Sequence, residues 1–229
     1  MTSEIGPRAH FPESYPSDVE KARVKNDLEE LQESIIRTFK DLPDHPRENS
    51  IKKLQKKLIS LNTAINTLPV SGTHGDVLHT IATIFNEYRE KEYFLPLFSS
   101  PKEPTLQTLP EKIHHYDKLL NNIQILKKAK SNSELYQLEY QTYLEDPMPT
   151  FEEWDRGAEG GDITPPSPKD ITSLVDQIPT YLSCIDECRR LLASLTSLPE
   201  KEKTALETLL TTFTSETLPY LLEQRDSPS

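Results

Sequence analysis

The sequence predicts an all-α fold: a helical bundle of antiparallel helical hairpins, five to seven helices in all, with a long acidic Pro/Gly-rich connector. Three observations predict it. Apolar residues recur at steps of three and four along most of the chain, the spacing that gathers them on one stripe of a helix. Helix start signals precede several of these runs. No window alternates polar and apolar residues as a half-buried strand does.

Residues 1–16 have no periodicity and contain Pro7, Pro12 and Pro16, which predicts a disordered N-terminal arm. Ser17 followed by Glu20 is a capping box, in which hydroxyl and carboxylate satisfy free amides reciprocally. The first helix then places Val24, Leu28, Leu31, Ile35 and Phe39 on one stripe, and Pro43 and Pro46 end it. The second carries Ile51, Leu54, Leu58, Leu61, Ile65 and Leu68, a seam that requires a neighbouring helix. A short connection makes the first helix its expected partner, with Glu29, Glu30 and Glu33 facing Lys52, Lys53, Lys56 and Lys57. Each exposed ion pair adds at most about 1 kcal/mol, so burial dominates that pairing.

Asp76 is the expected cap of a third helix with the face Val77, Ile81, Ile84, Phe85 and Tyr88. Tyr93, Phe94, Leu95, Leu97 and Phe98 follow as an aromatic cluster, read as a buried corner with an exposed docking patch as its alternative. Thr108, Leu109, Pro110 and Glu111 signal a fourth helix through Ile113, Tyr116, Leu120, Ile123 and Leu126. Ser131 with Glu134 forms a second capping box, predicting a break or kink near Ser131 to Ser133 before Leu135, Leu138 and Leu144. Tyr136, Tyr140 and Tyr143 then cover the remaining surface of that segment.

Residues 146–168 change character, with Pro147, Pro149, Pro165, Pro166, Pro168, Gly157, Gly160 and Gly161 set among acidic residues, and are read as a linker. A fifth helix carries Ile171, Leu174, Ile178, Tyr181, Ile185, Cys188, Leu192 and Leu195, with a kink expected at Pro179. Ser197, Leu198, Pro199 and Glu200 open the last helix, whose apolar residues are Leu206, Leu209, Leu210, Phe213 and Leu221. The domain reading is therefore a bundle over 17–145, the linker over 146–168, a C-terminal hairpin over 169–222 and a disordered tail over 223–229. So small a hairpin must dock on the N-terminal helices, on a second copy by self-association or on a partner.

Charge narrows the function classes. A formal net charge of −11 repels a phosphate backbone, so no nucleic-acid binding is expected. The same sign disfavours anionic leaflets, and no apolar run approaches the length of a bilayer span, so no membrane insertion is expected. Residues 1–17 lack an apolar core of the signal-peptide kind, and with two cysteines in 229 residues the expected location is cytoplasmic, a signal-independent export route remaining compatible.

No phosphate-binding glycine loop, serine nucleophile elbow, His-Glu-x-x-His or Cys-x-x-Cys is present, so no catalytic residue and no cofactor is assigned. Glu111 with His114 and Asp76 with His79 show the carboxylate-x-x-His spacing of half a di-iron site. Both carboxylates sit at helix starts and no further inward acids accompany them, so these histidines and His115 are read as surface residues and no metal site is assigned. Cys184 and Cys188 stand one turn apart and are read as packing residues.

The most function-like stretch is Phe151, Glu152, Glu153, Trp154 and Asp155, where the single tryptophan has an acidic surround. Such a segment can dock a ring into a partner's pocket while its charges steer encounter, or fold back over a groove of its own bundle. Thr164 and Ser167 precede prolines and are candidate phosphorylation sites, Ser167 as the expected cap of the fifth helix. The functional expectation is a non-enzymatic adaptor or scaffold that binds protein partners, a subunit of a larger assembly. A bacterial secreted effector or secretion-associated factor is the second reading and a carboxylate-bridged metal enzyme the third.

Overall fold

A computed structural model describes residues 18–67, 74–99, 104–145, 168–196 and 198–226. These residues are helical with no strand among them. In chain order the helices are α1 (Asp18–Lys40), α2 (Glu48–Thr67), α3 (His74–Tyr88), α4 (Phe94–Phe98), α5 (Leu109–Glu145), α6 (Pro168–Asp176), α7 (Ile178–Ser194), α8 (Glu200–Thr212) and α9 (Leu218–Asp226). A 3₁₀ turn, Pro104–Leu106, precedes α5, and a π turn, Phe213–Thr217, joins α8 to α9.

The expected stripes are the buried ones. Leu28, Ile35 and Phe39 of α1 and Leu54, Leu58, Leu61 and Ile65 of α2 are all buried, and the two helices pack on each other. Of the lysines on the facing side of α2, Lys57 reaches oxygen atoms of α1. The Lys57 ammonium donates to the Ser34 carbonyl at 3.1 Å and the Thr38 hydroxyl at 2.5 Å. Glu30 and Glu33 line the adjoining surface groove.

Helix α3 buries Val77, Leu78, Ile81, Ala82, Ile84 and Phe85 against α1 and α5. It begins at His74, so Asp76 lies in its first turn and is not the cap that the sequence suggests. The aromatic residues after α3 form a corner. Phe85 meets Phe94 and Phe98 edge-on, with centroids 5.9 and 5.4 Å apart, and Phe39 of α1 meets Phe85 at 6.1 Å. The Gln55 side-chain amide donates to the carbonyls of Pro96 at 3.3 Å and Leu97 at 3.2 Å, satisfying groups that so short a helix leaves free. Tyr93, Phe94, Leu97 and Phe98 are buried, whereas Leu95 is 73% exposed.

Helix α5 is continuous, contrary to the break expected near Ser131. Leu126, Lys127, Lys128, Ala129 and Lys130 are strong helix formers that carry the helix past the capping pair, and Glu134 is taken by Lys130 one turn before it. Ser133 is buried within the seam and accepts from the Gln137 amide at 3.5 Å. The consequence is a shared element: α5 packs against α3 and also against α6, α7 and the π turn. The C-terminal helices therefore dock on the N-terminal ones in the same chain, and buried residues from Leu28 to Leu221 make one apolar cluster.

Two prolines shape the C-terminal half. A break at Gln177 replaces the kink expected at Pro179, which falls in the first turn of α7, where its missing N–H costs nothing. Leu174, Ile178, Tyr181, Ile185, Cys188, Leu192 and Leu195 remain buried across that break. Pro219 cannot donate to the Ser215 carbonyl, and the ladder widens just before it, the Leu218 N–H bonding the Phe213 carbonyl. Helix α9 runs to Asp226, into the stretch from residue 223 that the sequence reading assigns to the tail. The arm, the connector over 146–167 and residues 227–229 lie outside the described residues.

Because Leu119 of α5 is fully buried in the shared core, Leu119→Ala should cost about 2–5 kcal/mol in urea denaturation followed by circular dichroism. The whole helical signal should still melt in one transition. Two separate transitions would show that α5 does not unite the two halves.

Candidate functional site

The residues singled out in the connector, Phe151, Glu152, Glu153, Trp154 and Asp155, and the candidate modification sites Thr164 and Ser167 lie outside the described residues. What the structure builds next to that segment is the second half of α5, which ends at Glu145 where the connector begins.

With α5 unbroken, the buried seam of its first half keeps its phase. It passes through buried Leu119, Ile123, Leu126, Ala129 and Ser133 to half-buried Tyr136 and ends at Tyr140, which is 46% exposed. Tyr136 thus continues the core side, where the sequence leads one to expect Leu135 and Leu138. Tyr136 and Tyr140 stack with centroids 6.3 Å apart and planes 8° from parallel. Tyr220 of α9 stands near both, and burial above all, then those neighbouring phenols and Glu223, pushes its hydroxyl up to about 12.

Leu135 and Leu138 point outward instead, 55% and 60% exposed. Leu135 and Tyr136 also border a groove of about 500 Å³ between α5 and the α6–α7 junction, floored by Ala129, Leu174 and Tyr181. Lys128, Asn132, Glu139, Ser173 and Gln177 rim it. An apolar floor with a mixed polar rim is the ordinary make-up of a protein-binding groove. A second hollow lies at the aromatic corner, where exposed Leu95 stands with Phe85, Phe94 and Phe98 beside Arg89, Glu90 and His114.

The groups considered for metal or nucleophilic chemistry are dispersed. His79 Nδ1 lies 2.8 Å from Asp117, which also accepts from the Asn121 amide at 3.4 Å, linking α3 to α5. His115 is 3.9 Å from Glu111 one turn away, and His114 faces outward beside the Leu95 hollow. Among the described residues, no three His, Cys, Asp or Glu side chains are placed to hold a metal ion. Cys184 and Cys188 are buried and unlinked. Burial raises both thiols, Cys188 to about 12, which holds them in the unreactive protonated form. Lys118, Glu187 and Arg190 form an ion-pair cluster over the α5–α7 contact, at 2.8 and 2.5 Å.

No protein-family model matches this chain, and no curated protein or solved structure matches it at a significant level. Among the described residues, no helix is long and apolar enough to cross a membrane.

Two outcomes follow from the burial of these groups. Tyr220 and Cys188 hold their protons more tightly folded than unfolded, so their contribution to stability is whole below about pH 9. It is lost as the pH rises toward about 12. Urea midpoints should therefore fall across that range, and less steeply in Tyr220→Phe; equal slopes would place the phenol in solvent. Iodoacetamide should label Cys184 and Cys188 at least about tenfold more slowly in the native protein than in urea, read by mass spectrometry.

Proposed function

We propose that this chain is a non-catalytic protein-interaction subunit, an adaptor or scaffold working from a cytoplasmic setting, whose helices pair as antiparallel hairpins. The observation that carries the reading is the outward side of α5, where Leu135 and Leu138 stand one turn apart, both more than half exposed. Single exposed leucines are common on protein surfaces, but two that are adjacent on one helical face form an anchor pair of the kind by which helices dock. The groove between α5 and α6–α7 lies alongside and extends the apolar area.

The acidic connector fits the same reading. It follows α5 in the sequence, and Phe151 and Trp154 would offer aromatic anchors while Glu152, Glu153 and Asp155 steer basic partners toward them. Phosphorylation of Thr164 or Ser167 would add negative charge to the connector and favour partners richer in arginine.

Photo-cross-linking with a benzophenone amino acid at position 138 tests the reading. Specific protein adducts are expected, and they should vanish in a protein that also carries Leu135→Glu. The Leu135→Glu change itself should alter folding stability by no more than about 0.5 kcal/mol, because the side chain is exposed. Absence of adducts with the unsubstituted neighbour would remove α5 as a binding surface.

A further inference from the structure

The outward face of α5 has a pattern that specifies one occupant. Ser131, Leu135, Leu138 and Thr142 follow one another at steps of four, three and four, the spacing of a coiled-coil seam, and all of them are exposed. Among the described residues, α6 and α7 pack on the side of α5 that carries Ala129, Ser133 and Tyr136, and they reach this seam only at Leu135, which borders the groove. We propose that this seam receives the same seam of a second copy of the chain, the two α5 helices running antiparallel about a twofold axis between Leu135 and Leu138. The proposal rests on the protein-binding reading of this face and names its partner.

Direction follows from charge and size. The seam starts beside Lys127 and Lys128, and α5 ends on Glu145. Antiparallel copies set the basic start of one helix against the acidic end of the other at both ends of the contact, whereas parallel copies would stack lysines on lysines. In the antiparallel register Leu135 of each copy meets Leu138 of the other, so the two largest apolar side chains share the centre. Ser131 of each copy then meets Thr142 of the other, small hydroxyl residues that let the helices close at both ends. A twofold contact requires such reciprocal matching, and a four-three-four seam supplies it. The contact spans about three helical turns, a small interface, so the dimer should form with rising concentration and not persist on dilution.

The test uses the full chain. Light scattering and sedimentation over roughly ten micromolar to one millimolar should show the mass climbing toward twice that of one chain, and Leu138→Glu should hold it at one. Direction is read from two single-cysteine additions, Ser131→Cys and Thr142→Cys, oxidised with copper phenanthroline; the native Cys184 and Cys188 are buried. Mixed, the two variants should give a disulfide-linked pair. Either alone should not, because like positions stand about 16 Å apart along antiparallel helices. Cross-linking by each variant alone would overturn the antiparallel arrangement, and a single-chain mass at every concentration would overturn the dimer. In that last case the position-138 photo-cross-linker separates the two readings. Adducts to a different protein would leave the interaction reading standing without self-pairing, and no adducts would remove both.

Discussion

The structure depends on the burial of one long apolar stripe, that of α5. Leu109, Ile113, Tyr116, Leu119, Ile123 and Leu126 are almost entirely withdrawn from water, and neighbours on both sides of the chain accomplish it, α3 from the N-terminal half and α6 and α7 from the C-terminal half. At about 1.5–3 kcal/mol for each large side chain fully buried, such a stripe outweighs any of the exposed ion pairs around it. Helices α7 to α9 are too few to bury their own seams, so they take their complement from α5, and the Lys118–Glu187 and Cys184–Asn122 contacts mark where they meet it.

Helix identity was legible in the sequence because burial follows periodicity. Nearly every residue assigned to a stripe in α1, α2, α3 and α7 is buried or half-buried where it is described, and the aromatic corner packs as expected apart from Leu95. Helix ends were less legible, because a capping signal is local and its use depends on what precedes it. Ser131 and Glu134 read as a start only if the helix before them has stopped; five helix formers in a row ensured that it had not. Thr108 shows the same limit: its hydroxyl bonds the Thr105 carbonyl, while its own carbonyl accepts the first amide of α5 from Lys112. Prolines were the more dependable marks, although Pro179 restarts a helix where a kink was expected.

The same misplaced break hid the candidate site. With a restart at Ser133, Leu135 and Leu138 become the inner residues of a new helix and the tyrosines its outer ones. With the phase of α5 kept, a rotation of 100° per residue carries the buried seam to half-buried Tyr136, with Tyr140 stacked on it at the exposed end, and turns the leucines outward. Carrying the stripe from Leu126 forward in steps of three and four, without resetting it, would have found this from the sequence.

Chemistry in the interior points the same way as packing. Burial holds the Cys188 thiol and the Tyr220 phenol well above their ordinary values, so at neutral pH both stay protonated and serve as apolar bulk. Nucleophilic work requires the reverse, a thiol or hydroxyl drawn toward ionisation by a cation, a base or a helix N-terminus. Burial, then Cys184 and the carboxylate of Glu187, all raise the Cys188 thiol. On the outside of the helices, α5 differs from its neighbours in a specific respect. A helix with one apolar stripe is satisfied by the bundle it joins, but the distal part of α5 has two on opposite sides. Helices α6 and α7 approach α5 from the tyrosine side and touch the leucine side only at its edge, at Leu135; closing over the rest of it takes a surface those helices do not supply.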